Sequence, residues 1–148
     1  MIVLSANRLF TPQQEIKDPL LFIEDGLISA VSSRAEREIP KNATVIDLAN
    51  DGLAEAILAP GFVDIHMHGG AGVDVMRAAP GELPRLNKFL TTHGVTGYFP
   101  TTVAAPLDQT CAALARLADA IEAAQASTGQ GDAMEARPLG IHLEGPFL

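Results

Sequence analysis

A chain of 148 residues, 47% hydrophobic and 19% charged, has the composition of a folded globular protein and enough length for a sizeable core, which excludes a disordered tail. A formal net charge of −8 argues against nucleic acid and anionic membrane as partners. The single cysteine, Cys111, excludes an internal disulfide and fits a reducing compartment. No apolar window reaches transmembrane length, and Met1 to Ser5 lacks a basic region ahead of an apolar core, so a cytoplasmic location is expected.

The opening third reads as β structure. Met1 to Phe10 carries a strand-like apolar run, and Leu20 to Val31 reads as a hairpin turning at Asp25-Gly26, a pair that supplies the positive φ angles of a tight two-residue turn. After a polar loop from Ser32 to Asn42, Ala43 to Leu48 is a third run. These strands make a small sheet of roughly fifty residues, too little to bury a full core alone. From about Pro60 strands alternate with helices, the grammar of parallel β/α units. Phe62 to His68 is expected as a buried strand. Gly81 to His93 is expected as a helix with Leu83, Leu86, Phe89 and Leu90 inward and Gly94 as its stop. Val95 to Val103 is a second strand. A long helix from Asp108 to about Ala126 carries a core stripe of Leu114, Leu117, Ala118 and Ile121, with Cys111 a buried or half-buried structural thiol. Ser127 to Glu135 is a surface loop, and Arg137 to Leu148 supplies a third strand.

Three strand ends carry chemistry. Along Phe62 to His68 the period of two points Asp64, His66 and His68 to one face and Val63, Ile65 and Met67 to the other. Two imidazoles spaced in this way can reach one divalent ion, although an H-x-H pair also arises by chance. Thr101 and Thr102 end the second strand, where they either face a site or bond local backbone. His142 and Glu144 share a face of the third strand, and Glu144 stands just before Gly145-Pro146, at the end of its strand as His68 is at the end of the first. Active sites of β/α barrels are built at that end.

The segments Ala59-Pro60-Gly61-Phe62-Val63-Asp64-Ile65-His66-Met67-His68-Gly69-Gly70, Thr92-His93-Gly94-Val95-Thr96 with Pro100-Thr101-Thr102, and above all Gly140-Ile141-His142-Leu143-Glu144-Gly145-Pro146-Phe147 resemble the N-terminal part of the N-acetylglucosamine-6-phosphate deacetylases, within the amidohydrolase superfamily. The first segment is shared with much of the superfamily, whereas the last is close to specific. The likeness runs over the whole chain, with a Leu48 to Leu58 spacer longer than usual and Arg77 where many relatives carry an acidic residue. It implies an α/β fold in which residues 1–58 form a small β-sandwich segment and residues 59–148 supply the first three strands of a (β/α)8 TIM-type barrel. Such a barrel needs about 250 residues, so the chain is expected to be truncated.

The resemblance further implies metal-dependent hydrolysis of N-acetylglucosamine 6-phosphate to glucosamine 6-phosphate and acetate in the full-length parent, the 148-residue piece itself being inactive. Glu144 would be a metal ligand, completed by two histidines beyond Leu148, and His66 with His68 would match a pair that binds a second ion in some members. Zinc is the expected cofactor, with iron or another divalent ion as alternatives and one or two ions per site. The proton-transferring aspartate would lie beyond Leu148, so no catalytic group is expected within this chain. His142 is a candidate supporting contact to a ligand or to substrate, with a packed barrel histidine as the alternative. The phosphorylated amino sugar would be held by groups outside the chain, since no basic cluster is visible in it, and the full-length enzyme would be a homo-oligomer. Two alternatives stand beside this. One is another amidohydrolase acting on an amide or cyclic ureide, against which the His142-to-Pro146 run argues; the other is a non-catalytic interaction module.

Overall fold

In the computed structural model, which describes residues 1–79, 81–126, 135–145 and 147, the chain is α/β and divides into two units, Met1–Pro60 and Gly61–Leu148.

The first unit is all β. Strand β1 (Ile2–Ser5), β2 (Arg8–Phe10), β3 (Glu15–Lys17), β4 (Pro19–Glu24), β5 (Leu27–Ser33), β6 (Thr44–Asp47) and β7 (Ile57–Leu58) form a four-stranded sheet ordered β5-β4-β1-β6 and a three-stranded sheet ordered β3-β2-β7. The β4–β5 hairpin turns at Asp25 and Gly26 with φ of 51° and 78°, the doubly positive conformation read from the sequence. The single run expected from Met1 to Phe10 is two strands in two sheets. The break has a backbone cause, because the Asn7 carbonyl accepts the Asp18 N–H and the Asn7 N–H donates to Ala56, which takes the chain from one ladder to the other. Val3, Leu20 and Phe22 are the buried centre of this unit, with the Arg37 guanidinium 4.0 Å over the Phe22 ring.

The second unit holds β8 (Phe62–Met67), β9 (Gly69–Gly70), β10 (Val73–Asp74), α1 (Leu83–Thr91), β11 (Val95–Pro100), α2 (Leu107–Ala126) and β12 (Arg137–Pro138). Its main sheet is parallel with β11 in the middle, in the order β12-β11-β8, as alternating strands and helices require. Three corrections to the sequence reading follow. Strand β8 is not buried: Phe62, Val63 and Ile65 are 70%, 52% and 68% exposed, because β8 is paired on one side only and no helix covers that stretch among the described residues. The third strand is two residues long rather than the run from Arg137 to Leu148; among the described residues beyond it, Leu139 and His142 donate their N–H to the Tyr98 and Pro100 carbonyls and an isolated bridge joins Thr101 and His142. Cys111 is exposed, since the inward stripe of α2 is Thr110, Ala113 and Leu117 with Ala120 beside it; Leu117 is shared with the expected stripe, Leu114 and Ile121 are half-buried and Ala118 is exposed.

On α1 the inward residues are Leu83, Leu86, Asn87 and Leu90, so Asn87 takes the place expected for Phe89. The polar side chain is tolerated there because its Oδ1 accepts the Tyr98 hydroxyl at 2.8 Å, and its main-chain carbonyl accepts the Ala136 N–H. Gly94, at φ 76°, ends the helix as expected. The surface loop expected from Ser127 lies, apart from Glu135, outside the described residues, as do Pro146 and Leu148. Among the described residues no helix is long and apolar enough to cross a membrane.

Candidate metal centre

Strand alternation brings His66 and His68 to one side of β8 and its end, and the segment after β12 brings Glu144 against them. His66 Nε2 lies 3.1 Å from His68 Nε2, and Glu144 Oε2 lies 3.0 Å from the first and 3.3 Å from the second. Of the same-face residues expected on β8, Asp64 does not join them; its Oδ1 accepts the His66 N–H at 3.1 Å and holds the strand's own backbone.

Hydrogen-bond partners decide what these atoms offer. His68 Nδ1 sits 3.2 Å from the Thr101 carbonyl oxygen. A carbonyl only accepts, so this contact assigns the proton of a neutral His68 to Nδ1 and leaves Nε2 with a bare lone pair. Glu144 Oε2 is buried and receives no hydrogen bond. Two acceptors therefore face each other with His66 Nε2 between them. A single N–H on His66 satisfies one acceptor at a time, whereas a cation satisfies all three. Donor atoms ~2.0–2.1 Å from one tetrahedral ion stand roughly 3.3 Å apart, close to the spacing found here. Two imidazole nitrogens and one carboxylate oxygen are the donor set of a borderline divalent ion. His66, His68 and Glu144 thus form a His/Glu cluster that fits a metal ion.

His142 is brought beside the cluster, its ring edge-on to that of His66 with centroids 4.6 Å apart, and its Nδ1–H donates to the Ile65 carbonyl at 2.9 Å. It fixes the backbone just before His66 and flanks that imidazole. Beside Glu144 an open cleft of about 310 Å³ is lined by His142, Leu143, Glu144, Gly145 and Phe147.

The sequence reading left Thr101 and Thr102 open between a site and local backbone. Both are fully buried and bond backbone, Thr101 both locally and across to β8, Thr102 across to the Glu144 segment. Thr101 Oγ1 accepts the Met67 N–H at 2.8 Å and donates to the Phe99 carbonyl, while Thr101 N–H donates to the Met67 carbonyl. Thr102 Oγ1 accepts the Glu144 N–H at 3.0 Å and donates to the Glu144 carbonyl at 3.1 Å. A glycine follows each arm of the cluster. Gly69, after His68, has φ 144° and a Cβ there would lie 2.0 Å from the Val73 carbonyl oxygen; Gly145, after Glu144, has φ 83° and a Cβ would lie 2.8 Å from Ala104 Cα. Neither position admits a side chain without moving backbone.

No protein-family model matches the chain. It is 41% identical over 146 residues to the N-acetylgalactosamine-6-phosphate deacetylase of Escherichia coli O157:H7, covering 99% of this chain and 33% of that protein. It is 35% identical to the N-acetylglucosamine-6-phosphate deacetylase of Bacillus subtilis, covering 95% of this chain and 33% of the relative. Among solved structures, the N-acetyl-D-glucosamine-6-phosphate deacetylase of Mycobacterium smegmatis superposes with a TM-score of 0.67 at 26% identity, over 100% of this chain and 36% of that one. A variant of the same enzyme has been solved in complex with N-acetyl-D-glucosamine-6-phosphate. The chain spans about a third of the length of the curated relatives it matches. At 41% and 35% identity over nearly its whole length, the chain is similar to about a third of such sugar-phosphate deacetylases, and it shares the fold of that part of them.

Proposed function

We propose that this chain is the N-terminal portion of an enzyme that hydrolyses the acetamide of N-acetylglucosamine 6-phosphate, giving glucosamine 6-phosphate and acetate. In this proposal residues 1–58 are the small β-sandwich segment, and β8, β11 and β12 with their helices open a (β/α)8 barrel. The observation that carries the proposal is the convergence of His66 Nε2, His68 Nε2 and Glu144 Oε2 within 3.0 to 3.3 Å of one another, with the carboxylate oxygen otherwise unpartnered.

The ligand set is His66, His68 and Glu144, and zinc is the ion its two nitrogens and one carboxylate suit best. A divalent ion supplies a water acidified toward pKa ~7 and polarisation of the amide carbonyl. The protein groups do the rest. The Thr101 carbonyl keeps the His68 proton on Nδ1, so that Nε2 presents its lone pair. His142 buttresses His66 and, with Glu144, forms part of the cleft wall on which the acetamide would lie. Proton transfer to the departing amine and the grip on the sugar phosphate belong to residues beyond this chain, in a cytosolic homo-oligomer.

A second reading is favoured by one observation: the relative at 41% identity is named for N-acetylgalactosamine 6-phosphate, against 35% for the Bacillus subtilis enzyme. The two sugars differ only in the configuration of one hydroxyl. The test is acetate release by the full-length protein from both sugar phosphates, with chelator and metal-rescue controls. The expected result is turnover of N-acetylglucosamine 6-phosphate that chelation abolishes. A clear preference for the galacto sugar establishes the second reading. Metal-loaded protein inert toward both but active on a cyclic ureide overturns the substrate class.

A further inference from the structure

Glu144 presents a positioning problem. It stands six residues past the last residue of β12, outside any ladder, yet its carboxylate must meet two imidazoles on another strand. His68 has a regular answer, since it directly follows the six-residue strand β8. For Glu144 the backbone contacts are those of Thr102. The Thr102 N–H donates to the His142 carbonyl at 3.0 Å, and the Thr102 hydroxyl both accepts the Glu144 N–H and donates to the Glu144 carbonyl. One fully buried side chain thereby fixes both polar backbone groups of a single residue. Its neighbour Thr101 faces the other arm, bonding Met67 through its hydroxyl and His68 Nδ1 through its carbonyl. Adjacent residues at the end of β11 thus hold the two arms of the cluster in one register.

We propose that Thr102 is a positioning residue for the metal centre, acting through the backbone of Glu144; this rests on the reading of His66, His68 and Glu144 as ligands. Buried hydroxyls of this kind matter through their hydrogen bonds, since a ligand carboxylate held ~1 Å out of place loses its share of the ion. A purely packing role predicts instead that shape alone matters.

The experiment compares Thr102→Val, which keeps the shape, Thr102→Ser, which keeps the hydroxyl, and Thr102→Ala, which keeps neither. Zinc affinity of the metal-stripped full-length protein is measured by competition with a chromophoric chelator, with circular dichroism confirming that each variant is folded. Expected is a loss of about 10- to 100-fold for Val and Ala, with Ser close to the parent. Val close to the parent, or Ser as weak as Ala, overturns the proposal, and the Ser–Ala pair decides the matter if Val does not fold. Glu144→Gln is run alongside. If it leaves zinc affinity intact, the ligand reading falls and takes this inference with it; if it weakens zinc while Thr102→Val does not, only the role of Thr102 falls.

Discussion

The two arms of the candidate metal cluster are built in opposite ways. His66 lies on a six-residue strand and His68 directly follows it, and the period of two puts both imidazoles on one side, so their placement follows from regular geometry. Glu144 comes from a segment with almost no regular structure, and its place depends on hydrogen bonds to one threonine of the neighbouring strand end. Regular structure places a pair at low cost in specific contacts, whereas an irregular segment needs them one by one. The carboxylate arm should accordingly be the more sensitive to changes in its supports, and the histidine arm to changes in its ligands.

The largest effect expected is that of Glu144→Gln in the full-length protein. The substitution keeps the shape and removes the charge, so zinc affinity should fall at least 100-fold and deacetylation by orders of magnitude. Chelator competition and acetate release measure the two losses separately. Submicromolar zinc binding that survives the change would show that another residue occupies this corner of the cluster.

Next in size is the histidine arm. Because the three donor atoms stand within 3.0 to 3.3 Å of one another, they read as one ligand set rather than two, and His66→Asn with His68→Asn removes two of its three members. Metal bound per protein, measured by atomic absorption after dialysis, should drop by one equivalent. An unchanged metal content would break the comparison, since it would leave the regular arm without a role in binding.

How much of this was legible beforehand divides along the same line. The Asp25-Gly26 turn, the strand–helix alternation after Pro60 and the shared face of His66 and His68 follow from local rules, and all are present in the structure. The exposed face of β8 was not legible, because Phe62, Val63 and Ile65 read as core in any sequence and become surface only through what pairs with the strand. The α2 stripe was misplaced because alanines fill every face of that helix, so apolar periodicity could not choose between Leu114 and Ala113. Asn87 was missed since its inward position depends on Tyr98, eleven residues away. The brevity of β12 and the bonds of Thr102 to Glu144, forty-two residues on, are tertiary facts for which adjacent threonines gave only an ambiguous signal.

The glycines that follow each arm give a smaller and graded test. At Gly69 the backbone conformation and a Cβ 2.0 Å from the Val73 carbonyl oxygen oppose any side chain, whereas at Gly145 the nearest approach is 2.8 Å. Gly69→Ala should cost roughly 1–3 kcal/mol from the backbone conformation alone, with the clash added, and Gly145→Ala should cost less. Denaturant unfolding of the two variants gives the order. The reverse order would show that the irregular arm is the more tightly held of the two.

Tyr98 supplies a control for both arms, on which the smallest effect is expected, since it lies on β11, the strand whose end carries Thr101 and Thr102. Its ring is fully buried, its hydroxyl donates to Asn87 Oδ1 at 2.8 Å, and burial pushes its pKa from 10.0 up to about 12. The folded state thus disfavours the phenolate while the unfolded chain ionises near the ordinary value. Stability from this group is whole below pH 10 and falls as pH rises through the window up to about 12, at about 1.4 kcal/mol per pH unit. Tyr98→Phe should remove that part of the alkaline slope and cost about 1–3 kcal/mol at neutral pH, because Asn87 Oδ1 is left without its donor. Zinc affinity should stay at the parent value, since the Tyr98 hydroxyl bonds Asn87 rather than His66, His68 or Glu144. Equal alkaline slopes in the two proteins would show that the phenol is not held neutral by the fold, and a loss of zinc binding would make β11 as a whole, rather than its two terminal threonines, the support that the cluster depends on.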